Sequence, residues 1–346
     1  MFYISGHGFG HASRSIEIIN ALIDRRPELR VIIRSSVAPW LVERTAHAGV
    51  VLSSAAVDTG VIQLDSLHLD ALGSIARAEA FMATFEQRVD SEVAFLRDHD
   101  AVMTISDLPP LGIAAGHAAG IAAFATGNFT WDWIYEHYEG GQSVADHIGT
   151  IYRLATKALR MPMWGGFATF PEIHDLPFVA RRSRREGREV REAFGLPLDR
   201  PIVLTSFGGY GLEALDEQAL TELDGYHVLT PAAFNDQVLY ERGFRYEDLV
   251  KAVDVVVTKP GYGIISECLA NQTALLYTSR GDFREYPVLV DAMPAFLRCG
   301  YIPHDDLFRG RWQPYLDAVI SQPAPPTTPA ANGADVAADI LLRSLS

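Results

Sequence analysis

The chain has 346 residues, of which 48% are hydrophobic and 21% charged, and its formal net charge is -14. This length and composition predict a globular protein with sizeable hydrophobic cores, for which two domains are the natural expectation. The acidic excess argues against nucleic acid as a partner, because phosphate contacts require lysine and arginine. No apolar stretch approaches the roughly 20 residues of a membrane span. Two distant cysteines and an N-terminus without a signal-peptide pattern favour a cytoplasmic location.

The first half of the chain alternates short apolar runs with amphipathic segments. The strand candidates are FYIS, RVIIRSS, GVVLSSA, AVMTIS and IAAFAT. These runs lack polar alternation, as expected for parallel strands that are covered on both faces. Between the first two runs, residues 13–25 place Ile16, Ile19 and Ile23 on one face of a helix. The alternation predicts a doubly wound parallel α/β domain.

A second α/β set follows a connection that is rich in proline, glycine and charge. The stretch MPMWGGFATFPEIHDLP and the charged run RRSRREGREVR at 181–191 predict an interdomain connection, with a solvated helix as the alternative for the charged run. Strand candidates then recur as PIVLTSF, YHVLTP, DVVVTKP and TALLYTS. We therefore predict two Rossmann-like domains, at 1–178 and 179–322. Residues 323–346 hold a proline-rich linker and an amphipathic helix, which we expect to pack back on the first domain.

Three glycines and two histidines crowd the opening loop SGHGFGHASRS, directly after the first strand. A glycine-rich turn there brings backbone amides close to a ligand, and the following helix N-terminus favours negative charge. The loop is not a dinucleotide fingerprint, because His11 stands where GxGxxG requires a third small residue. His7 and His11 have no third ligand nearby, so we expect no metal. The candidate ligand-binding residues are Gly6, His7, Gly8 and Gly10; a purely structural turn is the alternative.

Two further glycine-rich loops follow strands of the second half. The segment TKPGYGIISECLA opens a helix, and its Glu267 is suited to accept hydrogen bonds from a ribose diol or, alternatively, acts only as a favourable first-turn acid. The segment TSFGGYG is a loop of the same kind. Three such loops from two halves suit a protein that clamps a nucleotide diphosphate between domains. The candidate donor-binding residues are Gly208, Gly209, Tyr210, Gly261, Tyr262, Gly263, Ser266 and Glu267.

These motifs resemble those of GT-B glycosyltransferases of the UDP-sugar-dependent branch. That family has a Gly-His in its first loop, here Gly10-His11, and a glycine-rich loop leading to a ribose-binding glutamate, here 261–267. A narrower similarity is to the glycosyltransferase-like N-terminal region of plant L-arabinokinases. It is carried by GHGFGHASR, ISDLPPLGIAAGHAAGIAAFATGNFTWDWIY and KPGYGIISECLA. The resemblance does not include the kinase domain of those proteins, so sugar kinase activity is not implied.

The resemblance implies transfer of a sugar from a nucleotide sugar, with UDP favoured, to an acceptor held by the first half. The acceptor class stays open between a small molecule, a glycan and a lipid. In inverting members of the fold, a first-loop histidine removes the proton of the acceptor hydroxyl and an aspartate orients the imidazole. Here these are His11 and Asp107, which a 3-2-1-4 strand order brings together; Asp107 alternatively caps a turn. Asn128 and Asp132, in an aromatic-rich segment, are acceptor-site candidates, although that segment also suits a core helix.

Two departures from the family pattern leave the donor and the activity open. Ile264 stands where the family usually has a threonine, and SRGDFREYP replaces an aspartate-glutamine pair that grips the donor sugar. Arg280 and Asp282 of that segment are donor-site candidates, because arginine pairs with phosphate in a bidentate way. Two alternative functions remain: a nucleotide- or sugar-binding module without turnover, and a UDP-sugar epimerase or hydrolase on the same fold. We expect no cofactor beyond the nucleotide-sugar substrate.

Overall fold

The structure is a computed structural model that describes residues 1–65, 67–207, 215, 220, 223–230 and 236–345. In that part of the chain, the two larger sheets are parallel and are flanked by helices. The predicted α/β class with doubly wound parallel sheets is therefore confirmed. None of the described helices is long and apolar enough to cross a membrane.

The first sheet has the strand order β3-β2-β1-β6-β7-β8-β9. Its strands are β1 Phe2–Ile4, β2 Ile32–Ser35, β3 Val51–Ser54, β6 Met103–Asp107, β7 Ala122–Phe129, β8 Lys157–Gly165 and β9 Ile173–Asp175. A small antiparallel pair, β4 Ile62–Gln63 and β5 Leu69–Asp70, lies apart from this sheet. The first four strands of the sheet in chain order follow the predicted 3-2-1-4 arrangement. This arrangement places the ends of β1 and β6 side by side, with Ile4 opposite Asp107.

The helices of the first half begin with α1, which starts earlier than the sequence predicted. Their bounds are α1 Phe9–Arg25, α2 Pro39–Thr45, α3 Ala71–Met82, α4 Phe85–Asp98, α5 Pro110–Ala118, α6 Trp131–Glu136 and α7 Gln142–Tyr152. Helix α1 buries Ile16 and Ile19, as expected from their spacing. It begins four residues before the predicted start, because Gly8 with φ 76° takes a left-handed conformation that glycine adopts without strain. His11 therefore lies in the first turn of α1.

The second sheet has the strand order β11-β10-β12-β13-β14, with all its pairs parallel. Its strands are β10 Ile202–Ser206, β11 His227–Leu229, β12 Val255–Thr258, β13 Ala274–Tyr277 and β14 Cys299–Tyr301. The helices of this half are α8 Gly187–Phe194, α9 Asp236–Glu241, α10 Tyr246–Ala252, α11 Tyr262–Asn271, α12 Glu285–Ala292, α13 His304–Phe308 and α14 Gln313–Ile320, with a short 3-10 turn at Met293–Ala295. The strand candidates predicted for this half all lie in this sheet.

Part of the predicted interdomain connection is a strand instead. Strand β8 includes the residues MPMWG, and its Met161 is fully buried, so this assignment to a connection was wrong. Pro162 misled the interpretation, because proline is unfavourable inside a sheet. The pairing of β7 with β8 shifts register near this residue, between Gly127 and Phe129, so the ladder is interrupted where proline removes a donor. The second part of the charged run, residues 187–191, belongs to α8, which agrees with the solvated-helix alternative.

The last helix, α15 Gly333–Arg343, packs on α1 of the first half. It buries an apolar face of Ala337, Ala338, Ile340 and Leu341. Arg25 of α1 forms ion pairs of 2.8 Å with both Asp335 and Asp339. The chain thus returns to the first sheet after completing the second. The domain boundaries at residues 178 and 322 stay a prediction.

Candidate active site

The candidate site lies where the N-terminal ends of α1 and α11 approach each other. A Cβ atom added to Gly263 would lie 3.4 Å from the Cα atom of Gly10, so the two glycine-rich loops are in close contact. Each helix follows a strand of its own parallel sheet, β1 or β12. The carboxyl ends of both sheets therefore face one another, which is the edge at which open α/β sheets bind ligands.

His11 and Asp107, which the sequence paired across 96 positions, are in direct contact. Nδ1 of His11 lies 2.8 Å from Oδ1 of Asp107, and the two residues are only 5% and 1% exposed. The parallel pairing of β1 with β6 fixes this geometry, because the amide of Ser5 also donates to the carbonyl of Asp107 at 3.0 Å. A carboxylate can only accept, so the hydrogen bond to Asp107 requires the tautomer with the proton on Nδ1 and the lone pair on Nε2; Nη2 of Arg14 also lies 3.0 Å from Nδ1. This is the tautomer that a general base requires.

Arg14 completes the Asp107 contacts, and the sequence interpretation missed it. Its Nε donates to Oδ2 of Asp107 at 2.7 Å and its Nη2 donates to Oδ1 at 2.5 Å, while Ser15 Oγ donates to Oδ2 at 2.8 Å. Burial alone would raise the pKa of Asp107, but the charges of Arg14 and His11 and their hydrogen bonds lower it to about 2. The available signal was the spacing, since Arg14 lies three residues after His11 on the same helical face.

The network continues from Arg14 into the second half of the chain. Nη1 of Arg14 donates to Oδ1 of Asn128 at 2.6 Å, and Nδ2 of Asn128 donates to Oε1 of Glu285 at 2.7 Å. Glu285 in turn accepts from Nη1 of Arg280 at 2.9 Å through its other oxygen. Asn128, predicted from the sequence as an acceptor contact, is fully buried in this bridge between the halves. Its side-chain amide is therefore engaged at both ends.

His7 lies beside His11 in an aromatic environment. Its ring stacks on Phe283, with ring centroids 6.2 Å apart, and meets the edge of Trp131 at 5.6 Å. Its Nε2 lies 3.4 Å from Nε2 of Gln63. Burial, with the nearby positive charges as a second cause, lowers the pKa of His7 well below its usual value. His7 is consequently a neutral ring at the junction of the two halves.

Lys259 enters the site from the second half, and the sequence interpretation did not single it out. Its Nζ donates to Oε1 of Gln63 at 3.3 Å. Burial, followed by the positive charge of Arg280, lowers the pKa of Lys259 to about 7. A signal was present in the sequence, because this lysine stands directly before the glycine-rich PGYG loop.

Asp58 supplies a second carboxylate near His11, and it was also missed. Its Oδ2 accepts from Nε1 of Trp131 at 3.1 Å. Burial raises the pKa of Asp58, partly offset by a hydrogen bond from Ser5 and by the charge of His11. A narrow cavity beside it is lined mainly by Thr59, Ala78, Phe81, Trp131 and Tyr135. This is a largely apolar recess with one carboxylate at its edge.

Glu267, the predicted ribose-binding residue, is buried and ion-paired. It is 4% exposed, and Nε of Arg181 donates to its Oε1 at 2.6 Å. Arg181 also lies 3.9 Å from Oε2 of Glu247 through its Nη1. Ser266, predicted beside it, uses its hydroxyl to donate to the carbonyl of Gly263 at 2.9 Å within the helix. The carboxylate thus lies close to the loop, with an arginine as its partner.

The aspartates Asp132 and Asp282 are placed away from His11. Asp132 accepts from the amide of Trp133 at 2.8 Å and from the hydroxyl of Thr169 at 2.9 Å, so its contacts are local to the first half. The side chain of Asp282 is 80% exposed and lies 2.7 Å from Nε2 of His137. Neither carboxylate contacts the His11–Asp107 pair in the described structure.

The remaining predicted residues divide between the loops and the undescribed part of the chain. Gly6 lies against Ser36, and Tyr262 accepts from the amide of Val179 at 3.1 Å. Gly8 and Gly10 have no neighbouring atoms, among those described, within 4 Å of an added Cβ, so they border open space. A Cβ on Gly261 would lie 3.9 Å from Nη1 of Arg280. Gly208, Gly209 and Tyr210 lie outside the described residues.

Comparison with known proteins supports the resemblance seen in the motifs. No family model matches the chain. The chain is 29% identical to L-arabinokinase of Arabidopsis thaliana over 356 aligned residues, which cover 98% of this chain and 34% of the relative. It therefore spans about a third of the length of that protein. The predicted similarity to the N-terminal region of L-arabinokinases is confirmed at this level.

Solved structures identify the architecture. The glycotransferase of kitacinnamycin matches with a TM-score of 0.63 and 15% identity, covering 99% of this chain and 98% of that one. The glycosyltransferase VinC in complex with dTDP matches at 0.53 and 15%, covering 99% and 94%. The spinosyn rhamnosyltransferase SpnG with spinosyn aglycone matches at 0.53 and 14%, covering 99% and 95%. The chain has the GT-B fold. At these identities the matches establish the fold and leave the activity to be tested.

Proposed function

We propose that this protein is an inverting glycosyltransferase that moves a sugar from a nucleotide-sugar donor, with UDP favoured, to an acceptor hydroxyl. The observation that carries the proposal is the buried His11–Asp107 pair, with Nδ1 and Oδ1 2.8 Å apart, at the junction of two glycine-rich loops. A GT-B fold supplies the context, because both loops lie at the carboxyl ends of parallel sheets. A cytoplasmic location remains part of the proposal.

The proposed step needs one base and one anion-stabilising site. Nε2 of His11 takes the proton of the acceptor hydroxyl while that oxygen forms a bond to the anomeric carbon of the donor. The bond from this carbon to the phosphate oxygen breaks, and the nucleoside diphosphate leaves with the electron pair. Asp107 stabilises the imidazolium that forms. The leaving diphosphate is proposed to bind to the backbone amides of Gly261 and Gly263, at the N-terminus of α11.

The acceptor is proposed to bind in the first half of the chain. Asn128 and Asp132 already have protein partners, as does Asp58, so the group that we assign to the acceptor hydroxyl is Nε2 of His11. The SpnG structure was solved with spinosyn aglycone, so an acceptor bound to this fold has a precedent there.

A second candidate function is binding of a nucleotide or sugar without turnover. It is favoured by the ion pair of Glu267 with Arg181, which occupies the carboxylate proposed for the ribose, and by Ile264 in place of a hydroxyl residue. A third candidate is an epimerase or hydrolase on the same fold. Acceptor-independent turnover of a nucleotide sugar would identify that third activity.

The test begins with a screen of nucleotide sugars for release of a nucleoside diphosphate, with and without acceptor mixtures. His11→Ala should lower turnover about 10²- to 10⁴-fold and leave nucleotide affinity nearly unchanged, because it removes only the base. Glu267→Ala should weaken nucleotide binding by about 1.5 to 3 kcal/mol, since a charged acceptor is lost. His117→Ala, an exposed histidine in the last turn of α5, is the matched control.

Calorimetry with EDTA present tests the donor site by itself, because we propose that no metal is needed. Binding of UDP, GDP or dTDP under these conditions supports the assignment. Loss of nucleotide binding in His11→Ala together with intact binding in Glu267→Ala would reverse the proposed roles of the two halves. Nucleotide binding without turnover of any nucleotide sugar would favour the binding module.

A further inference from the structure

The chain has three lysines, and their environments differ. Lys157 pairs with Glu172 at 2.8 Å, and Lys251 donates to the carbonyl of Asn271 at 3.4 Å. Lys259 is half-buried and donates to a neutral group, Oε1 of Gln63, at 3.3 Å. Within the described residues, no carboxylate oxygen lies within 4.0 Å of Lys259 Nζ. Among the described residues, Lys259 thus has no ion-pair partner.

A second cation stands beside it. Lys259 and Arg280 follow the neighbouring strands β12 and β13, whose pairing sets Thr258 opposite Tyr277. Nη1 of Arg280 donates to the carbonyl of Pro260 at 3.4 Å and lies 3.9 Å from the position of an added Cβ on Gly261. Both positive groups therefore flank the loop that opens α11. Arg280 is paired with Glu285 at 2.9 Å, whereas the carboxylate that acts on Lys259 is that of Asp65.

The charges around Lys259 make this arrangement unfavourable without an additional anion. Burial, then Arg280, lowers the pKa of Lys259 to about 7, and Asp65 offsets part of that effect. On the facing loop of the first half, the pKa of His7 is lowered by burial and then by His11, Arg280, Lys259 and Arg77. A half-buried cation among other cations is stabilised when an anion binds, since the anion restores the charged form.

We propose that Lys259 and Arg280 together bind an anionic group of the ligand, a phosphate or a carboxylate, and that Lys259 takes up a proton when this group binds. The inference rests on the proposed function for the identity of the ligand as a nucleotide sugar. A phosphate would belong to the diphosphate, and a carboxylate would belong to a uronic acid donor sugar. Arg280 suits either group, because its planar guanidinium pairs with both in a bidentate way.

A direct test uses the small number of lysines. In protein labelled with ¹³C at the lysine ε-carbon, three side-chain signals are expected, and Lys259→Met assigns one of them. In the free protein the Lys259 signal should titrate near pH 7, in line with its lowered pKa. Saturating inorganic pyrophosphate or UDP should raise that pKa above about 8, with Lys157 and Lys251 unmoved. A Lys259 signal that titrates identically with and without bound ligand would overturn the proposal.

Binding measurements across pH test the same idea and locate the anion. Below pH 7 Lys259 is already protonated, so its contribution to the affinity should be constant. Above pH 7 the affinity should fall, because ligand binding then requires Lys259 to take up a proton. Lys259→Met should weaken binding by about tenfold or more at pH 6.5 and remove this part of the pH dependence. Lys251→Met makes the same chemical change in the second half and should bind like the wild type.

The choice of ligands separates the two sources of the anion. A loss in Lys259→Met that is equal for UDP, UDP-glucose and UDP-glucuronate identifies the phosphate. A loss confined to UDP-glucuronate identifies the carboxylate. If UDP and both UDP-sugars bind Lys259→Met as they bind the wild type, the anion site is refuted while the proposed function survives. If pyrophosphate binds in a Lys259-dependent way and no nucleotide binds, the anion site stands and the proposed function fails; if nothing binds, both fail.

Discussion

Replacing Asp107 by asparagine tests the central pair of the site. The drop in the pKa of this carboxyl from 3.8 to about 2 corresponds to stabilisation by its ionised form on the order of 2 kcal/mol. Because the folded pKa is the lower one, this stabilisation is present above pH 3.8 and is lost as the pH falls through 2. The substitution also leaves the Arg14 guanidinium buried without its carboxylate. Removing one partner of a buried ion pair costs about 3 to 5 kcal/mol, and we expect that loss here.

Urea unfolding followed by tryptophan fluorescence measures the loss, with hydrogen exchange at α1 as a local readout. Asp132→Asn is the matched control, because the partners of that carboxylate are the neutral amide of Trp133 and hydroxyl of Thr169; it should cost about 1 kcal/mol. Turnover of Asp107→Asn should fall as in His11→Ala, since the imidazole loses the acceptor that fixes its tautomer. An Asp107→Asn protein within about 1 kcal/mol of the wild type at pH 7 would refute the reasoning.

Three further substitutions examine the contacts that join distant parts of the chain. Glu285 bridges Arg280 at 2.9 Å and Asn128 at 2.7 Å, and Glu285→Gln removes its charge. We expect the free energy of unfolding in urea to fall by about 1.5 to 3 kcal/mol. A loss near zero would contradict a stabilising bridge. Arg25→Met removes two exposed ion pairs with α15 and should cost about 1 kcal/mol or less, with the difference vanishing at high salt. Leu341 in α15 is buried, so Leu341→Ala should lower the free energy of unfolding by about 2 to 5 kcal/mol. Equal losses for Arg25→Met and Leu341→Ala would refute the view that apolar burial holds α15 in place.

The strands of the fold were predictable from the sequence where each of them coincides with a clear apolar run. Parallel strands that are covered on both faces carry no polar alternation, and this pattern identified β1, β2, β3, β6 and β7 as well as the strands of the second sheet apart from β14. Strand β8 was missed because a proline such as Pro162 argues against a central strand. The structure accommodates this proline through the register shift in the pairing of β8 with β7. Local composition does not reveal where a ladder is interrupted.

The candidate site was predictable where strand order alone fixes a contact. His11 and Asp107 follow neighbouring strands, so the 3-2-1-4 arrangement was sufficient to bring them together. The bridge from Asn128 in β7 to Glu285 in α12 joins residues 157 positions apart, and its geometry depends on how the two halves dock. The spacing of residues in the sequence does not predict how the two halves pack against each other. Asn128 therefore received a ligand-binding interpretation, whereas its described contacts lie within the protein.

Net charge shows why a site for an anion was difficult to recognise in this chain. A formal charge of -14 excludes a broad basic surface, but it places no limit on the charge within a few ångströms of one loop. Here the fold brings Arg14, Lys259 and Arg280 from three segments to two helix N-termini. Arg14 forms an ion pair with Asp107, and Arg280 forms one with Glu285. Lys259 has no such partner among the described residues. Burial and then the charge of Arg280 lower the pKa of this lysine, and both effects make an anionic ligand favourable at that position.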